Sequence, residues 1–186
     1  MEIKSTQIKD VFVVEPRVFK DERGYFFESF NAREFAEKTG LDLHFVQDNE
    51  SRSCYGVMRG LHYQKMPYTQ NKIVRCVRGK VLDVAVDIRR GSPTFGKHVA
   101  VELSEDNHLQ LFVPKGFAHG FSVLSETAVI QYKCDEFYHP EADAGINIKD
   151  GTLGIDWKIP VEKAILSAKD LRHPLLKDAA PDFTID

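Results

Sequence analysis

Residues 72–88 read KIVRCVRGKVLDVAVDI. Val and Ile recur on both sides of one glycine, and the segment predicts two strands, Ile73–Arg78 and Lys80–Ile88, turning at Arg78–Gly79. In the second strand Leu82, Val84, Val86 and Ile88 share one face, with Asp83, Ala85 and Asp87 on the other. A two-residue turn would set Val74 opposite Asp83 and Lys72 opposite Ala85. Lys72 and Asp83 would then be diagonal neighbours on one face, within reach of a long side chain. A three-residue turn would break that register.

The same rhythm of short strands and Gly, Pro or Asn turns extends outward in both directions. Further candidates are Ile8–Val14, Tyr25–Phe30, Leu43–Gln47, Val57–His62, His98–Leu103, Leu109–Val113, Phe121–Leu124 and Ala128–Cys134. Many strands at this spacing predict a sandwich or barrel. One helix is expected where Asn31 can act as cap, with Glu34 three positions on, Phe35 and Ala36 following, and a stop at Gly40. A second short helix is expected after Asp170. The stretch from Gly151 onward is less regular and is expected to wrap the core. A length of 186 residues fits one domain, 1–186, and 42% hydrophobic with 28% charged residues is ordinary globular composition.

The longest apolar run, Val11–Val14, is far short of the roughly 20 residues that cross a membrane. Neither a transmembrane helix nor a secretory signal core is expected. Three cysteines, Cys54, Cys76 and Cys134, lack CxxC spacing, which argues for reduced thiols in a cytoplasmic protein rather than a disulfide framework or zinc ribbon. A net charge of −3 argues against a dedicated nucleic-acid partner. The charge is unevenly placed, however. Ser51–Leu82 holds seven cations (Arg52, Arg59, Lys65, Lys72, Arg75, Arg78, Lys80) and no carboxylate. A tract this pure in an acidic chain points to a local site for a small anion.

Four segments offer chemistry. Arg59-Gly60-Leu61-His62-Tyr63-Gln64 places a histidine at a strand end beside cations, either as a general base or as a structural imidazole at a barrel rim. Pro114-Lys115-Gly116-Phe117-Ala118-His119-Gly120 projects His119 from a tight turn. Its P-x-G-x-x-H pattern resembles the second signature of cupin barrels, which often bind a metal. The first cupin signature needs His-x-His and a Glu. Here Gln64 stands two after His62 and no acid follows before Asp83, so the ligand set is incomplete and no metal is expected. In Ala128–Cys134, Tyr132 lies on an otherwise apolar face, either as a tethered core residue or as an acid facing a cavity. In Phe19–Glu28, Arg23-Gly24 reads as a turn, and Phe26 and Glu28 share a face that suits either a nucleoside or a half-buried edge strand. Gln47-Asp48-Asn49 is equally open.

Together these segments resemble the dTDP-4-dehydrorhamnose 3,5-epimerases. The matches are Asp21-Glu22-Arg23-Gly24, Phe45–Asn49, Arg59–His62, Lys72–Arg75, Asp83–Asp87, Ser92–Gly96, Pro114–Phe121 and Ser167–Asp170, eight in order at compatible spacing. The resemblance implies a mainly β fold, a cupin-type jelly-roll barrel or sandwich, and a homodimer with no cofactor and no metal. It implies epimerisation at C3 and C5 of dTDP-4-dehydro-6-deoxy-D-glucose to give dTDP-4-dehydro-L-rhamnose, a deoxysugar precursor for lipopolysaccharide or cell-wall polysaccharide. It assigns His62 as base, Asp170 as the residue that orients it, Lys72 as positive charge at the C4 oxygen and Tyr132 as acid, with Asp83 available to hold the Lys72 ammonium. Arg59 and Arg23 match diphosphate-binding positions. Phe19, Phe26, Glu28, Gln47, Asn49, His119, Tyr138 and Lys169 match positions lining the nucleotide or sugar site, some of them from a partner chain in a dimer. Residues 65–71 depart from the pattern, with Asn71 where a small residue is expected. Tyr138 stands where members carry Trp or Tyr. An epimerase acting at one carbon alone would use the same base and acid. A non-catalytic sugar-nucleotide-binding cupin would have no need of the set His62, Lys72, Tyr132 and Asp170, and a metal-dependent cupin is opposed by Gln64.

Overall fold

The computed structural model describes residues 1–179 and 182–184. Strands β1 (Glu2–Ser5), β2 (Phe12–Glu15), β3 (Phe19–Asp21) and β4 (Gly24–Phe26) precede helix α1 (Ala32–Thr39). There follow β5 (Gln47–Cys54), β6 (Met58–Gln64), β7 (Lys72–Arg78), β8 (Lys80–Asp87), β9 (His98–Ser104), β10 (Gln110–Val113), β11 (Phe117–Val123), β12 (Thr127–Cys134), β13 (Asp143–Gly145) and a one-turn helix α2 (Ala168–Leu171). One sheet has the order β1-β2-β10-β7-β12-β5, the second β13-β6-β11-β8-β9, and β3-β4 forms a separate ribbon. From β5 to β12 the chain passes repeatedly between the two sheets, the jelly-roll habit of a β-sandwich.

The expected hairpin at Arg78–Gly79 is not formed. β7 pairs with β10 and β12, whereas β8 pairs with β11 and β9. Gly79 instead turns the chain from one sheet into the other. Its φ of 73° is in the left-handed region, and a Cβ there would collide with the Thr127 carbonyl oxygen. Lys72 and Asp83 are therefore not cross-strand neighbours, because they stand on facing sheets. The face assignment within β8 does hold. Leu82, Val84, Val86 and Ile88 join an outer cluster with Leu153, Leu176 and Phe183, which the C-terminal segment lays over that sheet. Val81 and Ala85 join Val74, Leu111, Phe121 and Ile130 in the core between the sheets.

On the opposite side α1 covers the first sheet, burying Phe35 against Val14, Ile73 and Phe112. Asn31 Oδ1 accepts the Glu34 amide at 3.1 Å, and Gly40 ends the helix at φ 75°. The Glu34 carboxylate does not close a capping box but pairs with Lys38 and the amino terminus.

Four other segments differ from expectation. Ile8–Asp10 is bend and turn, and β2 starts only at Phe12. Leu43–Val46 is not a strand; β5 begins at Gln47 and runs through polar Gln47–Cys54. It is an edge strand bonded to β12 alone, so half of it faces solvent and carries no apolar alternation. Tyr25–Phe30 yields only the β3–β4 ribbon, which leaves Glu28 outside any strand. Helix α2 includes Asp170 rather than following it, because Ser167 caps it and accepts the Asp170 amide at 3.0 Å. The three cysteines are free, and burial pushes the Cys76 and Cys134 thiols up to about 11. Among the described residues no helix is long and apolar enough to cross a membrane.

Candidate active site

A cavity of about 420 Å³ opens between the two sheets. Gln47, Asn49 and Ser51 reach it from β5, where alternation turns the odd-numbered side chains inward. Arg59 and His62 come from β6, Lys72 from β7, His119 from β11, and Tyr132 and Cys134 from β12. Gln70, Tyr138, Asp143 and Lys169 complete the rim. Nine residues singled out in the sequence thus converge on one space.

His62 sits in the ladder between β11 and β13, opposite His119 and Gly145. Its Nε2 is 2.6 Å from Asp170 Oδ1, 108 positions away in sequence. Burial works to raise the Asp170 carboxyl, but the hydrogen bond and charge of His62, together with Ser167, outweigh it and hold it below the usual carboxylate range. An ionised carboxylate only accepts, so the Nε2 position carries the proton and Nδ1 is left with a free lone pair. The imidazole is one-third exposed and its carboxylate almost fully buried. That is the geometry a general base requires, an open imidazole with an orienting anion behind it, and not a rim histidine tied to backbone.

Lys72 opens β7, buried, and desolvation lowers its ammonium below the ordinary lysine value against the smaller opposing effects of Cys134, Asp83 and Asp143. Asp83 thus acts on Lys72 through its charge, but its hydrogen bond goes elsewhere. Its Oδ1 is 2.9 Å from His119 Nε2, and its Oδ2 is buried without a partner among the described residues. Tyr132 packs its ring 5.9 Å from the Lys72 Nζ. Burial raises the phenol, and the Arg59 charge offsets part of that. Among the described residues its hydroxyl has no hydrogen-bond partner, so it is not a core tyrosine tethered to backbone.

The rim joins residues singled out in the sequence to others, such as Asp143 and Gln70, whose pattern carried no signal. Asp143 accepts from the Tyr138 hydroxyl at 3.1 Å and from Lys169 Nζ, joining three segments at the mouth. Gln64, in the place of a cupin ligand, has both ends of its amide engaged. Nε2 donates to the carbonyls of Tyr68 and Phe137, and Oε1 accepts the His139 amide at 2.6 Å. Gln47 Oε1 accepts the Tyr138 amide at 3.0 Å, and its Nε2 donates to Asn49 Oδ1. Asn71 pairs with Asp135 through both its backbone and side-chain N–H and accepts the Lys115 amide, so the departure at this position staples two loops. Arg59 Nε donates to Ser53 Oγ at 3.2 Å, which leaves the outer guanidinium nitrogens to the cavity.

Phe19, Arg23, Phe26 and Glu28 are not brought to this space. The first three lie on the exposed ribbon, where Arg23 pairs with its neighbour Asp21, and Glu28 accepts from Asn31. As for metals, His62, Asp170 and His173 each place a donor atom within 4.8 Å of the others. The His62 and Asp170 donors, however, are 2.6 Å apart and share a proton. Two ligands of one ion bound at about 2.0–2.2 Å would stand roughly 3 Å apart or more.

Sequence and fold are similar to those of known proteins. A family profile described as dTDP-4-dehydrorhamnose 3,5-epimerase matches residues 5–178. The enzyme of that name from Escherichia coli K12 is 54% identical over 172 residues, 92% of either chain. The one from Shigella flexneri is 52% identical over 96% of this chain and 98% of its own. The crystal structure from Elizabethkingia anophelis superposes with a TM-score of 0.92 at 56% identity, covering 96% of this chain and 97% of that one. A Legionella pneumophila dTDP-6-deoxy-D-glucose-3,5-epimerase, solved with dTDP-4-keto-L-rhamnose bound, gives 0.93 at 50% identity over 96% and 94%. With sequence and fold in agreement over nearly its whole length, the chain belongs to the dTDP-4-dehydrorhamnose 3,5-epimerase family.

Proposed function

We propose that the chain epimerises dTDP-4-dehydro-6-deoxy-D-glucose at C3 and C5 to give dTDP-4-dehydro-L-rhamnose, and that the cavity between the sheets is where it does so. The observation that carries the reading is the placement of a carboxylate-backed imidazole and a free phenol on facing sheets, with a desolvated ammonium beside the phenol. C3 and C5 both flank the C4 ketone. His62 Nδ1 takes the proton from carbon, the C–H pair becomes the enolate, and Lys72 stabilises the charge on the C4 oxygen. Asp170 stabilises the imidazolium so formed. Tyr132 returns a proton to carbon from the opposite face, and exchange with solvent resets both groups. The chain's own residues supply every group this proton traffic requires.

Arg59 suits the diphosphate, since a guanidinium fork matches phosphate oxygens. Tyr138 offers a ring face to the base, and Gln47, Asn49, His119 and Lys169 line the nucleotide and sugar path. Asp83 acts as partner of His119 rather than as the clamp of Lys72. Phe19, Arg23, Phe26 and Glu28 serve the site of a second copy: an exposed aromatic and cationic ribbon that its own cavity does not use is what a homodimer with exchanged binding residues presents. The whole chain acts as one domain without nucleic-acid partners, and three free thiols fit the cytoplasm.

The test is incubation with the 4-keto-6-deoxyglucose nucleotide in D₂O after chelator treatment. Deuterium at both C3 and C5 is the expected result. Label at one carbon would make it a single-position epimerase, and no exchange with binding retained would sink the enzyme reading. Mixing inactive His62→Ala chains with inactive Arg23→Ala chains should restore activity, because one site of the heterodimer then has both native residues. No recovery despite subunit exchange would refute the shared site.

A further inference from the structure

His173 lies just beyond α2 and has no place in the chemistry above. Its Nε2 is buried, has no hydrogen-bond partner among the described residues, and is 3.8 Å from Asp170 Oδ1, the same oxygen that holds His62. The two imidazoles meet edge to face, with centroids 5.7 Å apart at 64°. The fold makes room for this ring. Gly145 of β13 stands against it, and a Cβ there would lie 2.7 Å from His173 Cε1 and 2.8 Å from Nδ1. Asn147 Nδ2 donates to the His173 carbonyl at 3.2 Å and the Asn147 amide donates to the Pro174 carbonyl at 2.8 Å, so the backbone that carries the ring is tied down on both sides.

Resting on the assignment of His62 as base, we propose that His173 is a positioning residue of the proton-handling site, a second imidazole set 3.8 Å from the Asp170 oxygen that bonds His62 and coupled to the charge of that pair. The groups facing it are His62 on β6, Asp170 and Lys169 on α2, and Asp143 at β13. Burial, then the charge of His62, lowers His173 below the ordinary histidine value, with Lys169 acting in the same sense and Asp170 and Asp143 opposing. Two imidazoliums against one carboxylate in a buried setting repel each other. The charge His62 acquires on taking a substrate proton therefore keeps His173 neutral. Asp170 is then reserved for the base at the step where its negative charge matters. A neutral His173 also fills the space behind the pair and keeps water off the carboxylate.

The experiment follows the ring Cε1–H resonances of ¹³C-histidine-labelled full-length protein between pH 4.5 and 9. In the wild type the His62 resonance should move in two steps, the second coinciding with titration of His173. In His173→Phe, which keeps an aromatic ring in the pocket, His62 should move in one step. His173→Asn, smaller and still neutral, should do the same, so a single misfolded variant does not decide the outcome. A one-step His62 curve in the wild type, or a two-step curve that persists in both variants, overturns the proposal. A loss of turnover in His173→Phe with the His62 titration curve unaltered would mark the residue as merely structural and overturn the proposal. The titration is read without substrate, so failure of the epimerase reading and failure of this coupling appear in different measurements.

Discussion

His62 and His119 face each other across the β6–β11 ladder, and each meets a carboxylate through Nε2, at 2.6 and 2.9 Å. The two pairs differ in where the acid comes from and in what the imidazole can reach. Asp83 stands on β8, the strand next to His119, fully buried, and the imidazole it holds is nine-tenths buried as well. Asp170 arrives from a capped turn of helix outside the sandwich, and the imidazole it holds is one-third exposed. Both residues line the same cavity, but only the His62 pair combines a buried anion with an open ring. Hydrogen bonding to a carboxylate is thus not what makes a base. The same pairing welds two strands together in one place and, in the other, leaves the imidazole open to the cavity.

The sharpest break would come from His62→Ala, which should lower exchange at C3 and C5 by about 10³-fold, within the range for a positioned general base. His119→Ala should cost about tenfold or less, chiefly in KM, when folded protein is compared under the same assay. Equal losses from both variants would erase the distinction. Next in size is Tyr132→Phe, with inverted product down about 10²-fold while loss of the substrate proton continues. If both steps fall together, the acid lies elsewhere. On stability the order of the two pairs should reverse. His119→Ala strands a buried carboxylate whose other oxygen already lacks a partner, and breaking a buried pair costs about 3–5 kcal/mol in urea unfolding. His62→Ala should cost less, because solvent can reach its carboxylate through the cavity once the ring is gone.

How much of this could be read in advance divides along the same line. The β8 faces, the α1 cap at Asn31, the stop at Gly40 and the C-terminal wrap all follow from local periodicity and turn chemistry, and all are present. The hairpin at Gly79 was misread because a glycine in a positive-φ turn looks alike whether it joins two strands of one sheet or two sheets; only the partners decide. β5 was missed because an edge strand with one polar face and one cavity face has no apolar alternation. Catalytic candidates came from family resemblance, since no pattern links His62 to Asp170 across 108 positions. Asp143 and His173 lay outside both routes. The first is in a three-residue strand and the second lies just past a recognised motif, and their relevance lies only in what they touch.

The smallest effect that still separates the two pairs is the dependence of stability on acidity. Asp170 is held below its ordinary value in the folded protein. The unfolded chain then binds a proton more readily than the folded one as pH falls, so the stabilisation is complete above the unfolded value of about 3.9 and disappears as pH drops through the folded one. Asp170→Asn removes that contribution. The gap in unfolding free energy between wild type and Asp170→Asn should therefore narrow as pH falls below about 4. A gap that stays flat or widens on acidification would mean that the His62 hydrogen bond does not hold Asp170 ionised. The orienting role would then have to be sought in geometry alone, as it is for Asp83 and His119.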